Sequence, residues 1–279
     1  SCCGSIVSCV APSATIELVR TAASIVDALR GAKRVVIDSE TRSLHPWRDG
    51  RVLAGLGVKI VGGPAYYLTV RHLNGGRNAP PTELKLVGEA LRGKVLIAHH
   101  AKFDLAVLYQ EGVDLTTEHV VDTVVSWRLT HEDERSYELK ELAKKYVDPD
   151  AGRPQLELRR LMKKTGWTTY DQVPAELILG YVAGDLVDCE WLYLNSVDLI
   201  RERGLRDLLR LEQRVMRALF EMERLGVPID HGLATDRQRE LLGRAGELLK
   251  QVYEVTGDGQ GRRRGEAPEL LAARELFHG

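Results

Sequence analysis

Apolar residues recur along this chain with two periods, and the change from one to the other marks out its elements. Ile16, Val19, Ala22, Ile25, Val26 and Leu29 stand three or four apart, which predicts a helix over 15–29. Arg34 to Ile37 form a short β-branched run after Gly31 and predict a buried strand that runs directly into Asp38, Ser39 and Glu40. Residues 52–60 and 65–70 predict two further strands, with Gly62, Gly63 and Pro64 as the turn of a hairpin. Gly55, Gly57, Gly62 and Gly63 are read as hairpin glycines and not as a phosphate loop, because no Lys-Ser or Lys-Thr follows them. Residues 82–91 predict a helix capped by Thr82, 94–98 a short strand, and Ala101 the approximate start of a helix carrying Leu105, Val107 and Leu108.

In 173–194, Pro174 suits the first turn of a helix whose apolar face is Leu177, Ile178, Leu186, Cys189 and Leu192. Leu211, Val215, Leu219 and Met222 then set a helix over 208–225, GVPIDHG turns the chain, and 233–253 predicts a partner helix. No fixed-period repeat is present. Strands first, then helices interleaved with short strands, indicate an α/β fold with at least one antiparallel hairpin.

Composition narrows this only slightly. A chain of 279 residues with 44% hydrophobic content suits one large domain, or one domain with an appendage. With 39 basic and 40 acidic residues the net charge is -1, so a nucleic-acid partner would be held by local basic patches or metal ions and not by overall charge. No apolar run reaches the length of a membrane span, and the opening SCCGSIVSCVAPSA lacks the charged start of a secretory signal, so a cytoplasmic protein with no membrane partner is expected. Cys2, Cys3 and Cys9 crowd an irregular leader over 1–14 in no zinc spacing, and Cys189 lies in a helical pattern; reduced thiols are expected.

Three stretches carry chemistry. Asp38 and Glu40 alternate with Ser39, so a strand points both carboxylates one way, which is costly unless a cation sits between them. The plain alternative is a strand that ends at the surface in charged residues. Asp104 sits in the first turn of a helix, where the dipole stabilises a negative charge, and His99, His100 and Lys102 around it are potential phosphate contacts. Asp104 could equally serve that helix alone. Tyr181 and Asp185 are four apart on one helix face, an arrangement that also fits a structural Tyr beside a solvated Asp.

Together, in this order and spacing, the three stretches resemble the DEDD superfamily of 3′→5′ exonucleases, and specifically the proofreading domain of family A (polymerase I-like) DNA polymerases. Asp38-x-Glu40 is similar to the first motif, His100-Ala-Lys-Phe-Asp104 to the second, and Tyr181-x-x-x-Asp185 to the third. The Asp122-Thr123 pair and the leucine- and lysine-rich 136–146 also fit, and the resemblance covers roughly 33–230. The histidine variant would need His five residues before Asp185, where Gly180 stands; Tyr181 marks the tyrosine variant (DEDDy). Two positions depart from the polymerase pattern: His100 stands for the common Asn, and Gly184 for a frequent Glu.

The resemblance implies a ribonuclease H-like mixed sheet flanked by helices, and two divalent cations, Mg²⁺ or Mn²⁺. It implies Asp38, Glu40, Asp104 and Asp185 as metal ligands, with Asp38 bridging, and Tyr181 orienting the attacking water. Thr41, Leu44, His100, Lys102 and Phe103 would touch the substrate, with Leu44 wedged against the terminal bases. The substrate would be the 3′ end of single-stranded or frayed DNA and the product a nucleoside 5′-monophosphate. RNA trimming, as in RNase D relatives, and a non-catalytic nucleic-acid-binding scaffold are the alternatives.

The phrase LEQRVMRALFEMERLGVPID resembles the entry to a polymerase domain, so a polymerase domain or subunit is a candidate partner, although none of that region's catalytic motifs occurs in this sequence. The expected organisation is a leader over 1–14, an exonuclease domain over 15–203, a helical hairpin over 204–256 and a linker or tail over 257–279, with Arg262, Arg263 and Arg264 in a solvated stretch.

Overall fold

The structure, a computed structural model, describes residues 15–256; the leader cysteines and the Arg262–Arg264 run lie outside them. In chain order its elements are β1 (Ile16–Val19), α1 (Ala23–Leu29), β2 (Arg34–Thr41), α2 (Pro46–Asp49), β3 (Leu53–Ile60), β4 (Ala65–Thr69), α3 (Pro81–Leu91), β5 (Val95–Ala98), α4 (Ala101–Gln110), β6 (His119–Asp122), α5 (Thr123–Thr130), α6 (Leu139–Tyr146), α7 (Arg153–Thr165), a 3₁₀ turn (Tyr170–Gln172), α8 (Ala175–Glu202), α9 (Arg206–Leu225) and α10 (His231–Thr256). The six strands form one mixed sheet in the order β1-β4-β3-β2-β5-β6. The hairpin partners β3 and β4 are antiparallel, as are β2 and β3, while β2-β5, β5-β6 and β1-β4 are parallel.

The alternation of β2 divides the core. Val35 and Ile37 face a layer that contains Ile25 and Leu29 of α1, Leu84 and Val87 of α3, and Leu105 and Leu108 of α4. Val36 faces the other layer, with Ile178, Val182, Leu186 and Cys189 of α8 and Leu158 of α7. Each fully buried aliphatic side chain of this kind contributes about 1.5–3 kcal/mol, so β2 is fixed from both sides. Cys189 is buried with a free thiol. No helix among the described residues is long and apolar enough to cross a membrane.

Two sequence expectations change. Residues 16–19 do not start a helix: Ile16 to Val19 pair in parallel with Ala65 to Leu68, and the helix begins only at Ala23. Thr82 does not cap α3, because the cap position is Pro80 and Pro81 supplies the first turn. By contacts, the described residues up to Leu225 form one unit and those from Gly226 another. Helix α9 belongs to the first unit because Met216 and Phe220 are buried in its core, Phe220 edge-on to Trp47 and Tyr109. The second unit contributes α10.

Candidate active site

Asp38 and Glu40 project from the α8 face of β2, and their cross-strand partners on β3 are Gly57 and Gly55. Those two glycines are what let other elements close over the carboxylates. A Cβ at Gly57 would stand 3.0 Å from a Val182 methyl and 3.2 Å from a Leu186 methyl, so its absence allows α8 to lie directly on the sheet. Helix α8 thereby delivers Tyr181 and Asp185, one turn apart, to the end of β2. A carboxylate oxygen from each of Asp38, Glu40 and Asp185 lies within 4.8 Å of the others.

Gly55 lies under the ring of Tyr67, whose Cζ would be 2.3 Å from an added Cβ. The Tyr67 hydroxyl donates to His72 Nε2 at 2.8 Å, and His72 Nδ1 donates to the Val173 carbonyl at 2.6 Å, just before α8 begins. Burial lowers the His72 pKa and keeps the ring neutral, as this pattern requires. Gly55→Ala should therefore lower stability by about 1–3 kcal/mol, the usual cost of overpacking, measured as a denaturant midpoint at unchanged slope. A change within experimental error would show that Tyr67 moves freely and does not anchor α8.

Asp104 belongs to the other side of β2. Ser39, between the two β2 acids, faces α4, and its backbone N–H and hydroxyl donate to Asp104 Oδ1 at 2.9 and 2.5 Å. Alternation along the strand thus explains why three carboxylates converge while the fourth stands across β2. A register shift between Glu40 and Thr41 ends the regular pairing beside the site, where Glu40 faces Gly55 and Thr41 faces Leu53.

Burial sets the electrostatics. It raises the Asp38 pKa to about 7, aided by the charge of Asp185. Glu40 and Asp104 are raised well above the ordinary carboxyl range, first by burial and then by the charge of Asp38. Asp185 is raised by burial, against the opposing pull of Lys140. Asp38 Oδ2 is buried without a hydrogen-bond partner. An all-oxygen donor set with an unsatisfied buried carboxylate suits a hard divalent cation, so the residues present fit such an ion.

Two further residues bear on the site: Lys140, which sequence reading missed, and Asp122, which it read only as part of the Asp-Thr pair after the second motif. Lys140 on α6 is buried and forms ion pairs with both Asp185 and Asp188, the latter at 2.7 Å. Burial lowers the Lys140 pKa, but the two carboxylates outweigh it and the ammonium stays charged. A Cβ at Gly184 would lie 3.4 Å from the Lys140 ammonium, an ordinary contact distance. The available signal was Asp188 on the apolar face of its helix, beside Cys189, which demands a buried partner. Asp122, the second, accepts from Ala101 N at 2.9 Å and His100 N at 3.2 Å, and caps α5 through Val124 N at 2.9 Å. It secures His100 in the left-handed conformation, φ 67°, the one positive-φ non-glycine among the described residues.

A cleft of about 900 Å³ contains Asp38, Glu40, Asp104 and Tyr181 together with Thr41, Leu44, His100, Lys102 and Phe103. Leu44 stands out into solvent at 77% exposure. The Thr41 hydroxyl donates to the Ser43 carbonyl at 2.9 Å, Phe103 packs against the core, and Lys102 is paired with Glu223 of α9. His99 is a correction. Its Nε2 donates to the Tyr137 carbonyl at 2.9 Å, Nδ1 lies 2.8 Å from the Thr123 hydroxyl, and burial lowers its pKa to about 3. It is a neutral structural residue and offers no charge to a phosphate.

A helix-flanked mixed sheet with acids at the end of β2 and on α4 and α8 defines a nuclease of the ribonuclease H-like class. The chain belongs to the 3′-5′ exonuclease family of the family A DNA polymerases, whose model matches residues 14–190. Among its relatives, DNA polymerase DpoZ of Acinetobacter phage SH-Ab 15497 is 25% identical over 230 residues, covering 80% of this chain and 36% of the polymerase. The chain thus spans about a third of the length of that relative. Among solved structures, Brucella melitensis NrnC bound to pGG has a TM-score of 0.55 at 20% identity, covering 78% of this chain and 100% of NrnC, and NrnC is also known with bound Mg²⁺. Escherichia coli RNase D, an exoribonuclease, has a TM-score of 0.51 at 16% identity, covering 77% of this chain and 52% of its own. At these identities the structural likeness establishes the fold.

Proposed function

We propose that this chain removes nucleoside 5′-monophosphates from the 3′ end of single-stranded or frayed DNA, as a DEDDy exonuclease using two Mg²⁺ or Mn²⁺ ions. The observation that supports this most is the convergence of Asp38, Glu40 and Asp185, with one buried carboxylate oxygen unsatisfied, in a cleft that also contains Tyr181. When bound, the ions lower the pKa of water and offset charge that builds on the leaving 3′ oxygen. Asp38, Glu40 and Asp185 would hold the ions at the end of β2, with Asp38 as the ligand common to both, and Asp104, fixed by Ser39, would help to hold the second. Leu44 wedges against the terminal bases, Thr41, His100 and Phe103 border the terminal nucleotide, and Lys102 exchanges Glu223 for phosphate. The DNA assignment draws on the polymerase relatives. A polymerase domain, in the same or another chain, is the partner such relatives suggest.

Tyr181 has its phenol pKa raised by burial and by the charges of Glu40 and Asp185, so it keeps its proton. It orients the attacking water by a hydrogen bond and does not act as a base. Tyr181→Phe should then slow single-turnover hydrolysis by about 10²-fold, as loss of a positioned group does, with Mn²⁺ affinity unchanged. An unchanged rate would reduce Tyr181 to a packing residue against Tyr170, whose ring centroid is 5.6 Å away. The function itself is tested by incubating the purified chain with 3′-labelled DNA and RNA oligonucleotides in Mg²⁺, Mn²⁺ or EDTA. Labelled mononucleotide is expected from DNA with either ion and not in EDTA. Release from RNA alone would move the assignment to RNA trimming, and none from either would leave a binding scaffold.

A further inference from the structure

The molecule carries no excess positive charge, yet one stretch does. Residues 158–166 read LRRLMKKTG, four cations without an acid, in a chain of net charge -1. Arg159, Arg160, Lys163 and Lys164 are all exposed on α7, and none has an ion pair or hydrogen bond among the described residues. Cations nearby are matched: Arg153 pairs with Glu157, Lys144 with Glu141 and Lys145 with Glu134. Spacing of three to five residues stacks the four into two adjacent rows, and like charges one turn apart cost a helix a few tenths of a kcal/mol per pair. The helix dipole offsets this for Lys163 and Lys164 in the last turn. It does nothing for Arg159 and Arg160, in mid-helix.

One of these cations, Arg159, reaches the site, and the other three continue from it along the exposed surface of α7. Arg159 and Met162 line the same cleft as Asp38 and Glu40, while Leu158 anchors α7 in the core beneath α8. The wall that α9 contributes is different in kind: Glu212, Val215, Met216 and Leu219 are acidic or apolar. A strand whose 3′ end lies at the carboxylates meets positive charge along α7 and none along that α9 wall.

We propose that α7 is the exit track of the substrate, on which Arg159, Arg160, Lys163 and Lys164 hold the phosphates of the single strand upstream of its 3′ end. This rests on the nuclease reading above and adds where the rest of the strand runs. From Arg159 to Lys164 the helix rises about 7.5 Å, room for roughly two phosphates beyond the cleft. The recognition is of the phosphate chain, so it is independent of sequence.

The test uses the full chain with Lys163→Ser/Lys164→Ser, distal on the track. Binding of fluorescein-labelled dT12 is followed in EDTA across a salt series, and hydrolysis of dT12 and dT2 is followed with Mg²⁺. Loss of two phosphate contacts should weaken dT12 binding by about tenfold at low salt and reduce the log–log salt slope by about 1.4, at roughly 0.7 per contact on a single strand. The ratio of kcat/KM for dT12 over dT2 should drop with it. Lys33→Ser/Lys85→Ser removes the same charge elsewhere on the surface and should change none of these. Wild-type dT12 affinity and slope in the track variant, or equal losses on dT12 and dT2, would overturn the track while the wild-type chain still hydrolyses DNA. A wild-type chain that neither binds nor hydrolyses any oligonucleotide would overturn the nuclease reading together with it.

Discussion

Asp38→Asn is expected to reduce nucleotide release by more than about 10³-fold, the upper end for losing one electrostatic group from an active site, and at the same time to stabilise the metal-free protein at pH 8. The two effects have one cause. Asp38 is half-buried beside Glu40 and Asp185, but its Oδ2 is enclosed and unpaired, a state that favours the proton and resists the charge. Its pKa of about 7 when folded exceeds the ordinary 3.8. Between those values the folded chain keeps a proton that the unfolded chain releases, so metal-free stability declines as pH rises from about 4 and levels off above about 7. Each pH unit in that window is worth up to about 1.4 kcal/mol. Asparagine cannot ionise, so the decline should be shallower in the variant. Urea unfolding in EDTA at pH 4.5, 6 and 8 checks this. A stability difference between variant and wild type that does not change with pH would mean that Asp38 has the same pKa in the folded and unfolded chain, so that its surroundings do not resist its charge.

The parts of this site that are legible in the sequence are those carried by local pattern. A β-branched run ending in Asp-x-Glu states both the strand and the common face of Asp38 and Glu40, and the four-residue spacing of Tyr181 and Asp185 states a shared helix turn. The parts that are not legible depend on pairing across long separations. Lys140 reads as one lysine among several in ELKELAKK, and only the packing of α6 on α8 makes it a buried cation, 45 residues from Asp185. His99 looks like its neighbour His100, but both of its ring nitrogens are taken up by Tyr137 and Thr123. Gly55 and Gly57 are read correctly as strand glycines. Their purpose, to let Tyr67 and α8 approach the sheet, depends on elements that sequence does not place beside them.

Residues 16–29 show the same limit for the fold. Ile16, Val19 and Ala22 satisfy a helical spacing, while Ile16 and Leu18 also satisfy a strand's alternation toward α8, where both pack. The unpaired edge of β4 decides between them, because parallel pairing with Ala65 to Leu68 supplies hydrogen bonds that a longer first helix would leave β4 without.

Lys140→Met should be the most destabilising single change at the site, costing about 3–5 kcal/mol in EDTA, as breaking a buried ion pair from one side does. The methionine fills the volume of the lysine stem, so the loss is electrostatic: Asp185 and Asp188, both buried, are left facing each other without a cation. Burial already raises the Asp188 pKa to about 6 despite Lys140, so without the ammonium its charge is less favourable still. The double variant Lys140→Met/Asp188→Leu removes one of the stranded carboxylates and should recover much of the loss, which a packing defect at position 140 would not allow. Divalent cation should stabilise Lys140→Met by about 2.7 kcal/mol at a hundredfold excess over its dissociation constant, and by more than it stabilises wild type at the same concentration, because Asp185 then regains a positive partner. Urea midpoints for wild type and both variants, with and without Mg²⁺, separate these cases. A Lys140→Met protein within about 1 kcal/mol of wild type in EDTA would place it in the range of exposed ion pairs, and the carboxylates of α8 would then be held in place by something other than Lys140.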